Sequence, residues 1–213
     1  MKKRIVLSIL VFVFFFAGIC MADSFPNQGD LIYVDYSAGY PLKVQSAEGY
    51  GPYSFNTFCI EFSILLSYNL NEKYKIDSIS EDVVSAGSNN NNNPVGKLSF
   101  AAAAIYDDYL KNGLQGYQAL DFQGAIWIAE NELPADSNEY EPSAAAYAIF
   151  NSFSNATSYY GISALNISYY KDEVLTESQS LLVKNPVPEP VSMLLFGTGL
   201  VGVGGYVRRK FKK

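Results

Sequence analysis

The sequence contains no histidine. That removes imidazole as a general acid or base, as the partner of a serine or cysteine nucleophile, and as a zinc ligand. Most familiar hydrolase mechanisms are therefore closed to it. Cysteine is nearly absent too: Cys20 and Cys59 are the only two, and Cys20 lies at the end of an apolar leading segment. Once that segment is removed Cys59 stands alone, so no internal disulfide can form even in an oxidising compartment. Basic residues are scarce outside the two termini. Between Ala22 and Val191 seven lysines face 21 acidic residues, a formal charge of −14. Such a surface repels nucleic-acid phosphates and anionic lipids, so no nucleic-acid partner is expected and solubility is its default role. Asp136, Glu139 and Glu141 form an acidic loop without EF-hand spacing. It reads as a solvated turn, and neither a metal nor a cofactor is expected.

Both ends carry positive charge against apolar sequence. Lys2, Lys3 and Arg4 run into the apolar stretch Ile5 to Ile19, the order of a secretory signal peptide. Cys20-Met21-Ala22 offers small side chains for a signal peptidase, with cleavage expected after Ala22. The alternative, a lipoprotein acylated on Cys20, calls for a small residue just before the cysteine, where Ile19 stands. At the other end Asn185 to Pro190 is rich in proline, which fixes its own φ and pushes its predecessor toward extended geometry. The apolar run Val191 to Val207 follows, then Arg208, Arg209, Lys210, Lys212 and Lys213. At about 1.5 Å per residue this run reaches about 26 Å, the short end of what spans a hydrocarbon core. It is expected to be a single transmembrane helix with its basic cluster on the cytoplasmic side.

Val187-Pro188-Glu189-Pro190, the glycine-rich apolar run and the basic end together resemble the PEP-CTERM sorting signal. The resemblance covers roughly the last 27 residues. It implies an exosortase that acts near Pro-Glu-Pro to release or transfer the protein, in a Gram-negative organism that makes extracellular polysaccharide and biofilm. A plain C-terminal membrane anchor is the simpler reading of the same segment.

Residues 23–185 are enough for one domain with a proper core. The early part reads as strand: 31–36, 42–45, 55–62 and 74–79 are short, aromatic and β-branched, and separated by Gly, Pro, Ser and Asn clusters. The asparagine tract 88–93 reads as a loop. Beyond it the period becomes helical. Helices are expected over 98–110, stopping at Gly113; over 117–133, ended by Pro134, with Leu120, Ala125, Ile128 and Ala129 near one face; and over 143–153, opened by Pro142. Asp107 and Asp108 are expected on the polar face of the first. Strand character returns at 165–170 and 179–183. The expected fold is α+β: an antiparallel β sandwich or barrel, a three-helix insertion over about 97–156, and a C-terminal segment over 186–213 made of the Pro-Glu-Pro motif, the membrane helix 191–207 and the basic tail.

One constellation carries chemistry. Cys59 lies in Phe58-Cys59-Ile60-Glu61 and Gln123 in Phe122-Gln123-Gly124-Ala125-Ile126-Trp127. An aromatic-Cys-apolar-acidic strand, followed some sixty residues later by an apolar-Gln-x-apolar-apolar-Trp helix, resembles the thioester domains of Gram-positive surface adhesins. The resemblance implies that the Cys59 thiol attacks the Gln123 carboxamide, ammonia leaves, and a buried thioester persists until an external amine or hydroxyl takes the acyl group. Phe58, Phe122 and Trp127 are the lining that would exclude water, and Glu61 would assist proton transfer. Gly124 departs from the polar residue expected there. The competing reading is structural, since cysteine is among the most buried residue types as a plain apolar group.

The functional expectation is a non-enzymatic extracellular protein that binds or becomes attached to extracellular polysaccharide or surface amines. Its processing partners would be signal peptidase, the membrane and exosortase. The alternatives are a cell-envelope enzyme acting on polysaccharide through paired carboxylates, for which no pair stands out, and a structural component of biofilm.

Overall fold

The computed structural model describes residues 25–62, 66, 71–83, 96–133, 140–171 and 173–186. Ala22, the motif Val187–Pro190, the run 191–207, the basic cluster Arg208–Lys213 and the asparagine tract 88–93 lie outside the described residues. Among the described residues no helix is long and apolar enough to cross a membrane.

Alternation of apolar and polar residues sets the first hairpin. Ile32 and Val34 of β1 (Leu31–Asp35) and Leu42 and Val44 of β2 (Leu42–Ser46) point inward, while Lys43 and Gln45 face out, as the two-residue period of a strand requires. β3 (Ser54–Thr57) pairs with β2, and β4 (Tyr74–Ser80) pairs with the other edge of β1. After the helices, β5 (Ile162–Lys171) pairs along β4 with a register shift between Ile76 and Ser78. β6 (Val174–Glu177) and β7 (Leu181–Lys184) share the far edge of β5 end to end, β6 against Ser168–Lys171 and β7 against Ile162–Leu165. All these pairings are antiparallel, and the seven strands form one sheet. A bridge from Cys59 to Leu181 links the β3 side of the sheet back to β7.

The expected helices form with shifted ends. α1 (Phe100–Asn112) starts at Ser99, whose side chain accepts from the Ala102 N–H at 3.0 Å, satisfying one of the orphan donors of a first turn. It stops at Gly113, which has φ 67°. α2 (Ala119–Glu130) ends at Asn131 in the left-handed conformation, three residues before the proline expected to end it; asparagine tolerates that cap geometry well. α3 (Ala144–Phe153) opens at Ser143 rather than Pro142, because the serine hydroxyl accepts from the Ala146 N–H. Asp121 joins the two later helices: its carboxylate accepts from the Gln118 N–H at 2.8 Å and from the Ser143 hydroxyl.

Two apolar clusters meet at β5. Ile162 and Ala164 face the helices, while Leu165 and Ile167 face the sheet interior; with both faces covered, the strand is buried along its first seven residues. Three sequence expectations are corrected here. The stretch 55–62 is not one strand, since β3 ends at Thr57 and only a single bridge follows at Cys59. Leu120 is 47% exposed; the buried face of α2 is instead built from Phe122 to Trp127, with Ala129 and Glu130. Asp107 is buried rather than on a polar face, because Lys184 of β7 reaches it from the sheet and Lys111 from the next turn of the helix. Burial pushes that carboxyl up, and the two ammonium groups more than offset this, holding it below its ordinary value.

Candidate functional site around Cys59 and Gln123

The site begins where the β2–β3 ladder stops. Leu42 pairs with Thr57, and that is the last pair of the β2–β3 register. Past Thr57, therefore, β2 no longer covers the strand edge. On the opposite edge β7 continues: Leu182 donates its N–H to the Phe58 carbonyl at 3.1 Å, and Ile60 donates to the Ser180 carbonyl at 2.9 Å. In an antiparallel ladder this pattern turns the N–H and C=O of the residue between them the other way. That residue is Cys59. Its backbone groups face α2 with no strand to receive them.

Gln123 receives both. The Cys59 N–H donates to Gln123 Oε1 at 2.9 Å, and Gln123 Nε2 donates to the Cys59 carbonyl at 2.8 Å. The carboxamide thus substitutes for one residue of a missing strand. Both residues are buried, Cys59 at 1% exposure and Gln123 at 0%. Across 64 positions of sequence, the fold brings together the two residues singled out from their motifs.

The strand alternation around them sorts the neighbours. Phe58 and Ile60 belong to the helix-side cluster, and Cys59 belongs to the sheet-side cluster. Phe58 stacks on Phe122 at 6.3 Å between centroids. Trp127, one helical turn after Gln123, is held edge-on by three rings: Phe62 at 4.9 Å, Tyr140 at 5.2 Å and Tyr40 at 5.9 Å. The Tyr40 hydroxyl lies 4.0 Å from Cys59 Sγ and donates toward it. Tyr40, Phe62 and Tyr140 had no pattern in the sequence that tied them to Cys59. The bare position of Gly124 is now explained: a Cβ there would collide with the Tyr140 hydroxyl and come within 3.2 Å of the Ala146 Cβ, so α3 and Tyr140 can approach only a glycine.

Glu61 is fully buried as well. Its Oε2 accepts from the Ser180 N–H at 2.6 Å, and Gln179 Nε2 donates to its backbone carbonyl. Its Oε1 has no hydrogen-bond partner. Burial pushes the Glu61 carboxyl up to about 7, with the Ser180 bond holding it back in part. The same balance acts on Glu130, whose Oε1 accepts from the Ser99 N–H at 2.8 Å and which is also pushed up to about 7 by burial. Burial drives the Cys59 thiol well above its ordinary range, and the charge of Glu61 adds to this while the Tyr40 hydroxyl opposes it. A resting thiolate is thereby disfavoured. Among the described residues no group of three or more His, Cys, Asp or Glu side chains is arranged to hold a metal ion.

No curated protein and no solved structure matches the chain. Its C-terminal segment does match a family model, beginning at Pro186 directly after Asn185, whose N–H still donates to the Gly161 carbonyl at 2.7 Å. Residues 186–210 thus constitute a PEP-CTERM protein-sorting motif, and the chain carries the signal for exosortase-dependent sorting to the cell envelope.

Proposed function

We propose that the domain in front of the sorting motif is a non-enzymatic surface or extracellular-matrix module that attaches itself covalently through a thioester between Cys59 and Gln123. The observation that carries this reading is the reciprocal pairing of the Gln123 carboxamide with the Cys59 backbone inside a water-excluding aromatic shell. Proximity of this kind turns a bimolecular acyl transfer into an intramolecular one, whose effective molarity can be very large.

In the first step Cys59 Sγ bonds to Gln123 Cδ, the Cδ–Nε2 bond breaks, and the thiol proton departs with the nitrogen as ammonia. The Cys59 N–H already on Oε1 opposes the negative charge that develops there. Glu61, two residues along the chain with one free carboxyl oxygen, carries the proton: its carboxylate takes it from the thiol and its acid form delivers it to the leaving nitrogen. A carboxyl that titrates near 7 suits both duties. In the second step an external primary amine bonds to Cδ, the S–C bond breaks, and the sulfur recovers a proton. The product is an amide that fixes the protein to its target, such as an amine-bearing surface or polysaccharide. One acyl group is spent per molecule, which is why the role is attachment and not turnover.

Intact-mass measurement of the secreted protein tests this. The mature chain should be lighter than its sequence by one ammonia, and its cysteine should resist alkylation after denaturation until an amine is added. An unmodified mass with a freely alkylated Cys59 would reduce Gln123 to a structural substitute for the missing strand.

A further inference from the structure

Four buried side-chain atoms among the described residues lack any hydrogen-bond partner: Glu61 Oε1, Trp127 Nε1, Ser168 Oγ and Ser178 Oγ. Trp127 Nε1 is the unusual one, being a pure donor. An indole N–H buried in a core normally finds an acceptor, because an unpaired one keeps its full desolvation penalty. Ring mobility does not account for it. Phe62, Tyr140 and Tyr40 meet the indole at interplanar angles of 87°, 79° and 89° from three partners, so its orientation is set by packing.

An acceptor with a spare lone pair lies on the same face of α2 as this unused donor. A carboxamide oxygen has two lone pairs, and Gln123 Oε1 accepts one bond, from the Cys59 N–H. Residues 123 and 127 are four apart on α2, hence neighbours on one face of the helix. Two of the rings that hold Trp127 also belong to the Cys59 side of the site: Phe62 follows on the same chain segment, and Tyr40 reaches Cys59 Sγ.

We propose that the Trp127 indole N–H is the second donor to the Gln123 carbonyl oxygen, engaged when that oxygen gains negative charge during thioester formation and opening. With the Cys59 N–H it forms a two-donor pocket for the tetrahedral oxyanion. The resting amide leaves the donor unused, so its contribution falls on the transition state and not on the ground state, which is the condition for accelerating a step. This rests on the thioester reading above, and it adds a separate consequence: Trp127 works through its N–H and not only through its bulk.

The test uses the full mature protein with methylamine as the acyl acceptor. Trp127→Phe keeps an aromatic ring without the N–H; a second variant carries benzothienylalanine at position 127, which replaces N–H by sulfur in a ring of nearly the same shape. Both should open the thioester about 10²-fold more slowly or worse, the usual loss for one oxyanion donor. The benzothienyl variant should be no less stable than the natural protein, since it removes an unsatisfied buried donor. Equal aminolysis rates in both variants would overturn the assignment, as would an altered Glu61 titration in them, which would hand the N–H to Glu61 Oε1. A natural protein that has lost no ammonia overturns the thioester itself, an outcome visible before any variant is made.

Discussion

Replacing Gln123 by methionine isolates the structural half of the site from its chemistry. Methionine fills nearly the same length but can neither accept from the Cys59 N–H nor donate to its carbonyl. Both backbone groups would then be stranded in a region at 0–1% exposure, with β7 occupied on the opposite edge and the β2 register already ended at Leu42 on this one. Orphaning a buried polar group costs about 1–3 kcal/mol, so the pair amounts to about 2–6 kcal/mol, a large part of a domain's usual stability of about 5–15 kcal/mol. The comparison belongs in a Cys59→Ala background, where no thioester can exist and loss of a covalent link cannot be confused with loss of hydrogen bonds. Urea unfolding should show a lower midpoint with an unchanged slope, which marks a stability change and not a change in compactness. A loss below about 0.5 kcal/mol, the level of an ordinary surface substitution, would mean that the two hydrogen bonds do not hold this edge, and the account of Gln123 as a one-residue strand would be wrong.

Two further outcomes follow from the same packing. Gly124→Ala should destabilise by about 1–3 kcal/mol, the usual cost of overpacking; because the Tyr140 hydroxyl is the nearest obstacle, Tyr140→Phe should recover part of that loss in the double variant, as read by thermal unfolding. Glu61 and Glu130 rise from an ordinary 4.5 to about 7 on folding, so both favour the folded state most below the unfolded value and lose that contribution as pH rises through about 7. Stability should therefore fall between about pH 4.5 and pH 7 in urea titrations, Glu130→Gln should flatten the slope, and an unchanged slope in that variant would show that its carboxyl does not titrate in this range.

What each level decided can be argued residue by residue. The order of strands and helices, apart from the unanticipated β6, was legible because it rests on local rules. Alternation in 31–35 and 42–46 fixes their inward faces, the alanine run at 101–104 favours a helix, and Gly113 supplies the positive φ that ends it. The sorting motif was legible for a related reason: it is read as a linear segment of prolines, apolar residues and basic charge, and needs no partner from elsewhere in the chain. Local rules failed where a distant element competed. Asp107 looked solvent-facing from its helix alone, but Lys184 arrives from β7 to pair with it. Trp127 and Gln123 were marked by their motif, yet Tyr40, Phe62 and Tyr140 were not, since ring contacts across the fold leave no spacing in the sequence.

The sequence by itself supplied the Cys59 and Gln123 side chains, the lack of any histidine, and the sorting signal at the C-terminal end. Only the tertiary structure determined that Cys59 would have its backbone turned away from β7 toward an edge that β2 no longer covers, and that Gln123 would fill it. The physical reason is that a buried N–H and C=O must each find a partner. Which partner they find depends on what packs across from them, and a chain read in order does not contain that distance.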